Sequence, residues 1–292
     1  MTGLDFRLIG GSVRRAQLGE SPVWNPETGD IWWVDIDGRA ILRWQAETEQ
    51  VHRWSTPEVP GFAVLADGGL PAVGMQTGIF LFDPGRAEFE RIVPFASPGR
   101  RFNDAAVDRS GRLWVSTMAM DVRKEAAKIF LVTDGLELKP VVSGLTIPNG
   151  LAIDLQRGRL YFSDSHPGIQ MIWTLRLKDG LPETGRPEAF ATTRTLKGRP
   201  DGAALDEDGR YWIAGVDDAA LYVFDPDGRM ERTIAVPFPA PTKLTFFGQA
   251  CRSIAVTSKI VGENGGLLGV ADLPDTFAPG LSQPFWVMGR EA

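Results

Sequence analysis

Short apolar runs recur along the chain, each bounded by Gly, Pro, Asp or Asn, and many alternate apolar with polar positions. Helical periodicity is scarce. Strand periodicity with frequent breakers predicts an all-β fold with many turns.

A repeat underlies the pattern. A polar turn residue leads, a Gly follows, and an aromatic or β-branched strand comes next: Asn25-PETGDIWWVD, Asp108-RSGRLWVST, Asp154-LQRGRLYFSD and Asp206-EDGRYWIAG. Ala66-DGGLPAVG is a weaker copy and Phe247-GQACRSIAVTS the weakest. The leading residues 25, 66, 108, 154, 206 and 247 are spaced by 41, 42, 46, 52 and 41 residues. That is about the length of a propeller blade. A further strand pair follows several copies, as in Ile41-LRW with Val51-HRW, Ile79-FLF with Phe89-ERIV and Leu221-YVF with Arg232-TIAV. Six repeats of four strands predict a single six-bladed β-propeller over residues 1–292. The run Leu4-DFRLI is expected to pair beside Phe285-WVMG and close the ring, which protects sheet edges. A β-sandwich is the other all-β option, but sandwiches rarely show six internally similar units.

The repeat also sets a register. Five residues before each leading residue stand Glu20, Gly61, Asn103, Asn149, Asp201 and Thr242, and a short apolar run follows each of them. That run reads as the innermost strand of a blade. Inner strands surround the channel, so these positions should converge at one mouth as a polar ring.

Composition narrows the chemistry. Thirty-one Lys and Arg against 37 Asp and Glu give a net charge of −6, with no basic stretch suited to nucleic acid. The single cysteine, Cys251, rules out an internal disulfide, and its segment reads as a strand with the thiol packed inside. Met1 to Arg15 lacks a signal-peptide layout and no apolar run reaches membrane-span length. A cytoplasmic monomer or weak homodimer acting on a small molecule is the expectation. Two histidines, His52 and His166, cannot supply a zinc site built on histidines, and no G-x-S-x-G elbow appears. Nine tryptophans fall mostly on strand positions and read as core.

Within the ring, Glu20, Asn149 and Asp201 offer two carboxylates and an amide oxygen. Such a set suits one divalent cation, Ca²⁺, Mg²⁺, Mn²⁺, Zn²⁺ or Fe²⁺, with positions left open for water and substrate. Taken singly, Asn149-Gly150 and Asp201-Gly202 read as hairpin turns; only the shared register favours a site. Arg101 and Asn103 could bind substrate oxygens or form a surface ion pair. Asp104 and Asp108 read as turn residues. Arg199 and Lys243 could lie at the mouth and meet an anionic substituent, or compensate neighbouring carboxylates. His166 could donate a hydrogen bond there or be a plain loop residue.

Leu18-GESPVW, Ile31-WWVDI, Arg101-FNDAAVD, Thr117-MA, Ile147-PNGLAID and Arg199-PDGAALDEDGRYW together resemble the SMP-30/gluconolactonase family, with a weaker match through Thr242-KLTFFG. The resemblance implies a six-bladed propeller holding a single divalent cation on Glu20, Asn149 and Asp201. It places substrate contacts on Arg101 and Asn103, and Asp201 matches the residue proposed as general base. A cation would lower the pKa of that carboxylate and make a polarised water the better nucleophile. Some members carry an acidic residue soon after the Thr-Met-Ala stretch, where a substrate hydroxyl binds; here Met120 and Asp121 follow Ala119. The expected activity is metal-dependent hydrolysis of a sugar lactone to its acid. A metal-dependent esterase or phosphotriesterase and a non-catalytic calcium-binding propeller are the alternatives.

Overall fold

The leading residue of each strong repeat closes a turn with its own side chain. Asp108 Oδ1 accepts from the backbone N–H of Ser110 (2.8 Å) and Arg112 (3.1 Å), and Oδ2 accepts from Trp114 Nε1 at 3.2 Å. Asp206 repeats the device, accepting from Arg210 N (2.8 Å) and Trp212 Nε1 (2.9 Å). The Gly three residues on takes a left-handed conformation, φ 77° at Gly111 and 80° at Gly209, which favours glycine. The reading of Asp108 as a turn residue therefore holds.

These turns join the first two strands of each blade. The protein, described by a computed structural model over residues 3–10 and 15–289, is all-β, with no α-helix among the described residues. Both ends of the 1–292 span, and part of Met1 to Arg15, lie outside the described residues.

Six antiparallel sheets form the blades. Their inner strands are Gly19–Asn25, Phe62–Leu65, Arg100–Val107, Pro148–Asp154, Arg199–Leu205 and Pro241–Phe247. Each inner strand neighbours the next in order, and the last packs against the first. The longest repeat step, in the fourth blade, has a local cause. The strand Met171–Lys178 also pairs with the short strand Leu181–Pro182 before the outer strand Glu188–Thr192 returns.

Apolar side chains fill the gaps between blades rather than one common core. Phe62, Val64 and Ile79 of the second blade meet Phe102, Val115 and Phe130 of the third. Equivalent clusters occupy the other five junctions. Trp44, Trp114 and Trp212 are fully buried, as the core reading of the tryptophans expects. Inner strands are almost wholly buried, whereas outer strands such as Glu88–Pro94 largely face solvent.

Ring closure differs from the sequence expectation. The N-terminal strand Arg7–Ile9 pairs with Leu268–Asp272, becoming the outer strand of the sixth blade. The C-terminal segment takes another course. It crosses the face opposite the polar ring, bridging Asp206 to Gly280 and Ala66 to Trp286, with Val287 N–H donating to Gly111 O at 2.9 Å. Trp286 is 2% exposed, packed between the second and third blades. Burial of this large ring explains why the segment straps that face instead of extending a sheet.

Cys251 also departs from expectation. It lies in a single 3₁₀ turn at φ 51°, and the strand begins two residues later at Ser253.

Candidate functional site

In five blades the pairing of inner strand with second strand slips at one level. The slips fall between Glu20 and Val23, Phe102 and Ala105, Asn149 and Ala152, Pro200 and Ala203, and Pro241 and Leu244. A bulge bends its strand and re-aims a side chain, here towards the channel. Gly150 shows the constraint: at φ 63°, an added Cβ would lie 2.3 Å from Tyr211 Oη. The Tyr211 hydroxyl in turn donates to Gly150 O at 2.7 Å. Asn149-Gly150 and Asp201-Gly202 are thus bulges within strands, not hairpin turns.

The re-aimed groups form a relay. Arg101 Nη1 donates to Asn103 Oδ1 (2.7 Å), Asn103 Nδ2 to Asn149 Oδ1 (2.9 Å), and Asn149 Nδ2 to Asp201 Oδ1 (2.6 Å). Asn149 Nδ2 also donates to Ser165 Oγ at 2.9 Å. Glu20 Oε2 accepts from Ser21 N at 2.9 Å. Glu20, Asn103, Asn149 and Asp201 are each at most 9% exposed. They line a cavity of about 170 Å³ with Arg101, Arg199, Asp217 and Lys259.

Burial dominates the electrostatics. It pushes Glu20 up to about 7, helped by the charge of Asp104 and opposed by Lys243. Asp201 rises well above the usual carboxylate range, first by burial and then by Glu20. Burial lowers Arg101 to about 10, against the pull of Glu20, Asp37 and Asp201. Glu20, raised by Asp104, and Asp201, raised by Glu20, thus form a buried acidic floor whose negative charge the fold disfavours.

That disfavoured charge, with the donor set itself, is what a divalent cation fits. Glu20, Asn149 and Asp201 supply hard oxygens, and no group of three or more His, Cys, Asp or Glu side chains suited to a metal occurs among the described residues. The Asn149 amide here turns its nitrogen to Asp201. Rotation about its soft terminal torsion exchanges nitrogen for oxygen.

Other expected residues lie elsewhere. Arg199 lines the cavity, but its Nε bonds Asp217 Oδ2 at 2.6 Å and its Nη1 donates to Ser165 O at 2.9 Å. Lys243 is not at the mouth. It is 5% exposed within the channel, ion-paired with Asp104 and donating to Ala105 O at 2.8 Å. Asp104 is correspondingly no turn residue. It sits in the inner strand, 2% exposed, and its Oδ2 accepts from Leu151 N at 2.8 Å. Lys243 also lines a smaller cavity of about 70 Å³, together with Leu281–Pro284 on the strapped side. Asp121 lies outside the cluster, well exposed and paired with Arg123 at 3.5 Å. His166 is a loop residue whose Nδ1 accepts from Gly168 N at 3.1 Å.

Sequence reasoning passed over Ser165, Asp217 and Lys259, and also two positioning carboxylates. Asp35 accepts from Leu18 N and Gly38 N, both at 3.0 Å, and Asp164 from Thr146 N (2.7 Å) and Ile147 N (3.1 Å). They anchor the segments that lead into Glu20 and Asn149. A signal existed: each stands ten residues after its repeat's leading residue, 25 and 154.

Residues 18–260 match the profile described as the SMP-30/Gluconolactonase/LRE-like region. The chain is 31% identical to a 6-deoxy-6-sulfogluconolactonase of Pseudomonas putida, over 88% of each chain. It is also 31% identical to the pentonolactonase XacC of Haloferax volcanii, over 91% of this chain and 88% of that one. In fold it is similar to a calcium-binding regucalcin from Agrobacterium tumefaciens, at TM-score 0.89 and 23% identity, covering 98% and 99% of the two chains.

Proposed function

Because the chain belongs to the SMP-30/Gluconolactonase/LRE-like family, we propose that it hydrolyses a sugar lactone with the help of one divalent cation, in the breakdown of carbohydrate. Water adds to the ring carbonyl, the bond from that carbon to the ring oxygen breaks, and the ring oxygen takes a proton. The product is the open-chain hydroxy acid.

The observation that carries this reading is the convergence of Glu20, Asn149, Asp201 and Arg101 in one cavity. Glu20, Asn149 and Asp201 would hold the cation, which when bound polarises a carbonyl and lowers the pKa of water. The chain's own groups do the rest. Arg101 keeps Nε and Nη2 free of hydrogen bonds among the described residues, so its fork can bind substrate oxygens. Asn103 fixes that fork and the Asn149 amide together. Asp201 has Oδ1 occupied by Asn149, leaving Oδ2 as the atom able to take a proton from the attacking water. Burial of the floor limits competing solvent.

Acid release from a panel of neutral and anionic sugar lactones tests the proposal, using chelator-stripped protein with each divalent ion restored separately. Turnover that returns with a cation supports it. Spontaneous rates on every lactone, with cation bound, overturn it.

A further inference from the structure

We propose that Lys259 recognises a second negative charge on the substrate, so that the pocket prefers lactones carrying a carboxylate, sulfonate or phosphate remote from the ring carbonyl. The inference rests on the lactone-hydrolase reading, which places the carbonyl at the floor beside Glu20 and Asp201.

Three cations line the cavity, and two are committed. Arg101 is held to Phe102 O at 2.8 Å and Asn103 Oδ1 at 2.7 Å, within the field of the floor carboxylates. Arg199 is neutralised by Asp217 at 2.6 Å. Lys259 has neither an ion pair nor a side-chain hydrogen bond among the described residues. Its backbone is nonetheless fixed, since its N–H donates to Ala240 O at 2.9 Å and it bridges Leu18 across the junction of the sixth and first blades. An anchored backbone thus carries a free ammonium on an exposed side chain.

Position decides what that ammonium meets. With the carbonyl on the floor, the carbons farthest from it extend to the exposed rim, within reach of a long lysine side chain. The protein is acidic overall, at −6, so its general field does not favour anions and an uncompensated rim cation acts locally. Asp37, an exposed carboxylate on the first blade, acts on Arg101 and does not pair with Lys259.

The test compares wild type with Lys259→Gln and Lys259→Arg. For each, kcat/KM is measured on a neutral aldonolactone and on the lactone of a sugar diacid. Lys259→Gln should lower the anionic-to-neutral ratio about fivefold, the scale of one partly solvated ion pair, mainly through KM. Lys259→Arg should keep the ratio, and added salt should shrink it in wild type. Calorimetric titration of the cation-loaded protein with a sugar diacid and a sugar monoacid gives a second readout that needs no turnover. An unchanged ratio and unchanged diacid affinity in Lys259→Gln overturn the inference. Absence of turnover on every lactone overturns only the hydrolase reading, and the titration then decides the role of Lys259.

Discussion

Asn149 and Asp201, on inner strands of neighbouring blades, are joined by a hydrogen bond of 2.6 Å from Nδ2 to Oδ1. The bond couples two blades at the point where the site needs a fixed spacing. It also places a polar donor beside a carboxylate whose charge is disfavoured by burial and by Glu20.

Asp201→Asn should separate function from stability. The amide oxygen of the variant can still accept from Asn149, while the proton acceptor and one anionic ligand are lost. Turnover should fall on the order of 100-fold or more. The melting temperature of cation-free protein should hold or rise, because a disfavoured buried charge is gone. Steady-state kinetics with scanning calorimetry checks both; full activity in the variant contradicts the role given to Asp201.

Cation and pH should act together on stability. Glu20 rises from 4.5 to about 7 in the fold, so the folded state holds that proton more tightly than the unfolded chain. Its contribution is fully present below pH 4.5 and is lost as pH rises through about 7. Cation-free protein should therefore lose stability from pH 5 to pH 8. A bound cation displaces the proton, so its stabilisation should be larger at pH 8 than at pH 6. Melting curves in chelator and in excess cation test this, and a stabilisation independent of pH would contradict it.

The ion pair of Lys243 with Asp104 is buried at both ends. Lys243→Met should cost about 3–5 kcal/mol, because it strands a carboxylate in the channel. Adding Asp104→Asn should recover part of that loss. Urea unfolding of both single variants and the double variant measures the coupling.

Gly150→Ala should destabilise by about 2 kcal/mol or more, from the left-handed backbone and the crowding against Tyr211. It should also weaken cation binding, since the bulge aims Asn149. Tyr211→Phe in the Gly150→Ala background removes the contacting oxygen and should restore part of the stability. Denaturant curves and cation titration report the two effects separately.

The blades were legible because their signature is local. Asp108, Gly111 and Trp114 lie within one turn and its strand, so spacing alone exposes them. The candidate site was legible through register, which puts Glu20, Asn149 and Asp201 at one level of their blades. The strap and the closing strand were not, because an apolar run does not name its partner: Trp286 and Ile9 are both buried, but in unlike settings. Asp104 was misread for a similar reason. A carboxylate in an inner strand looks like a turn residue until Lys243, far along the chain, is placed beside it. Lys259 carries no sequence signal, because an exposed lysine is ordinary on any surface.

Closure by the N-terminal strand gives the protein a timetable. Leu8 pairs with Gly269, about 260 residues later. At roughly 5–20 residues per second of synthesis, the first strand waits on the order of tens of seconds for its partner. Junctions between consecutive blades can form in order as the chain emerges. The junction of sixth blade with first cannot, so the ring stays an open arc until the last blade is made. Glu20 sits on the first blade and Asp201 on the fifth, and Thr242 Oγ1 of the sixth blade donates to Gly19 O at 2.5 Å. The candidate site, with the cation proposed for it, is therefore completed only when the arc closes, and a chain halted before its final blade would be unable to assemble it.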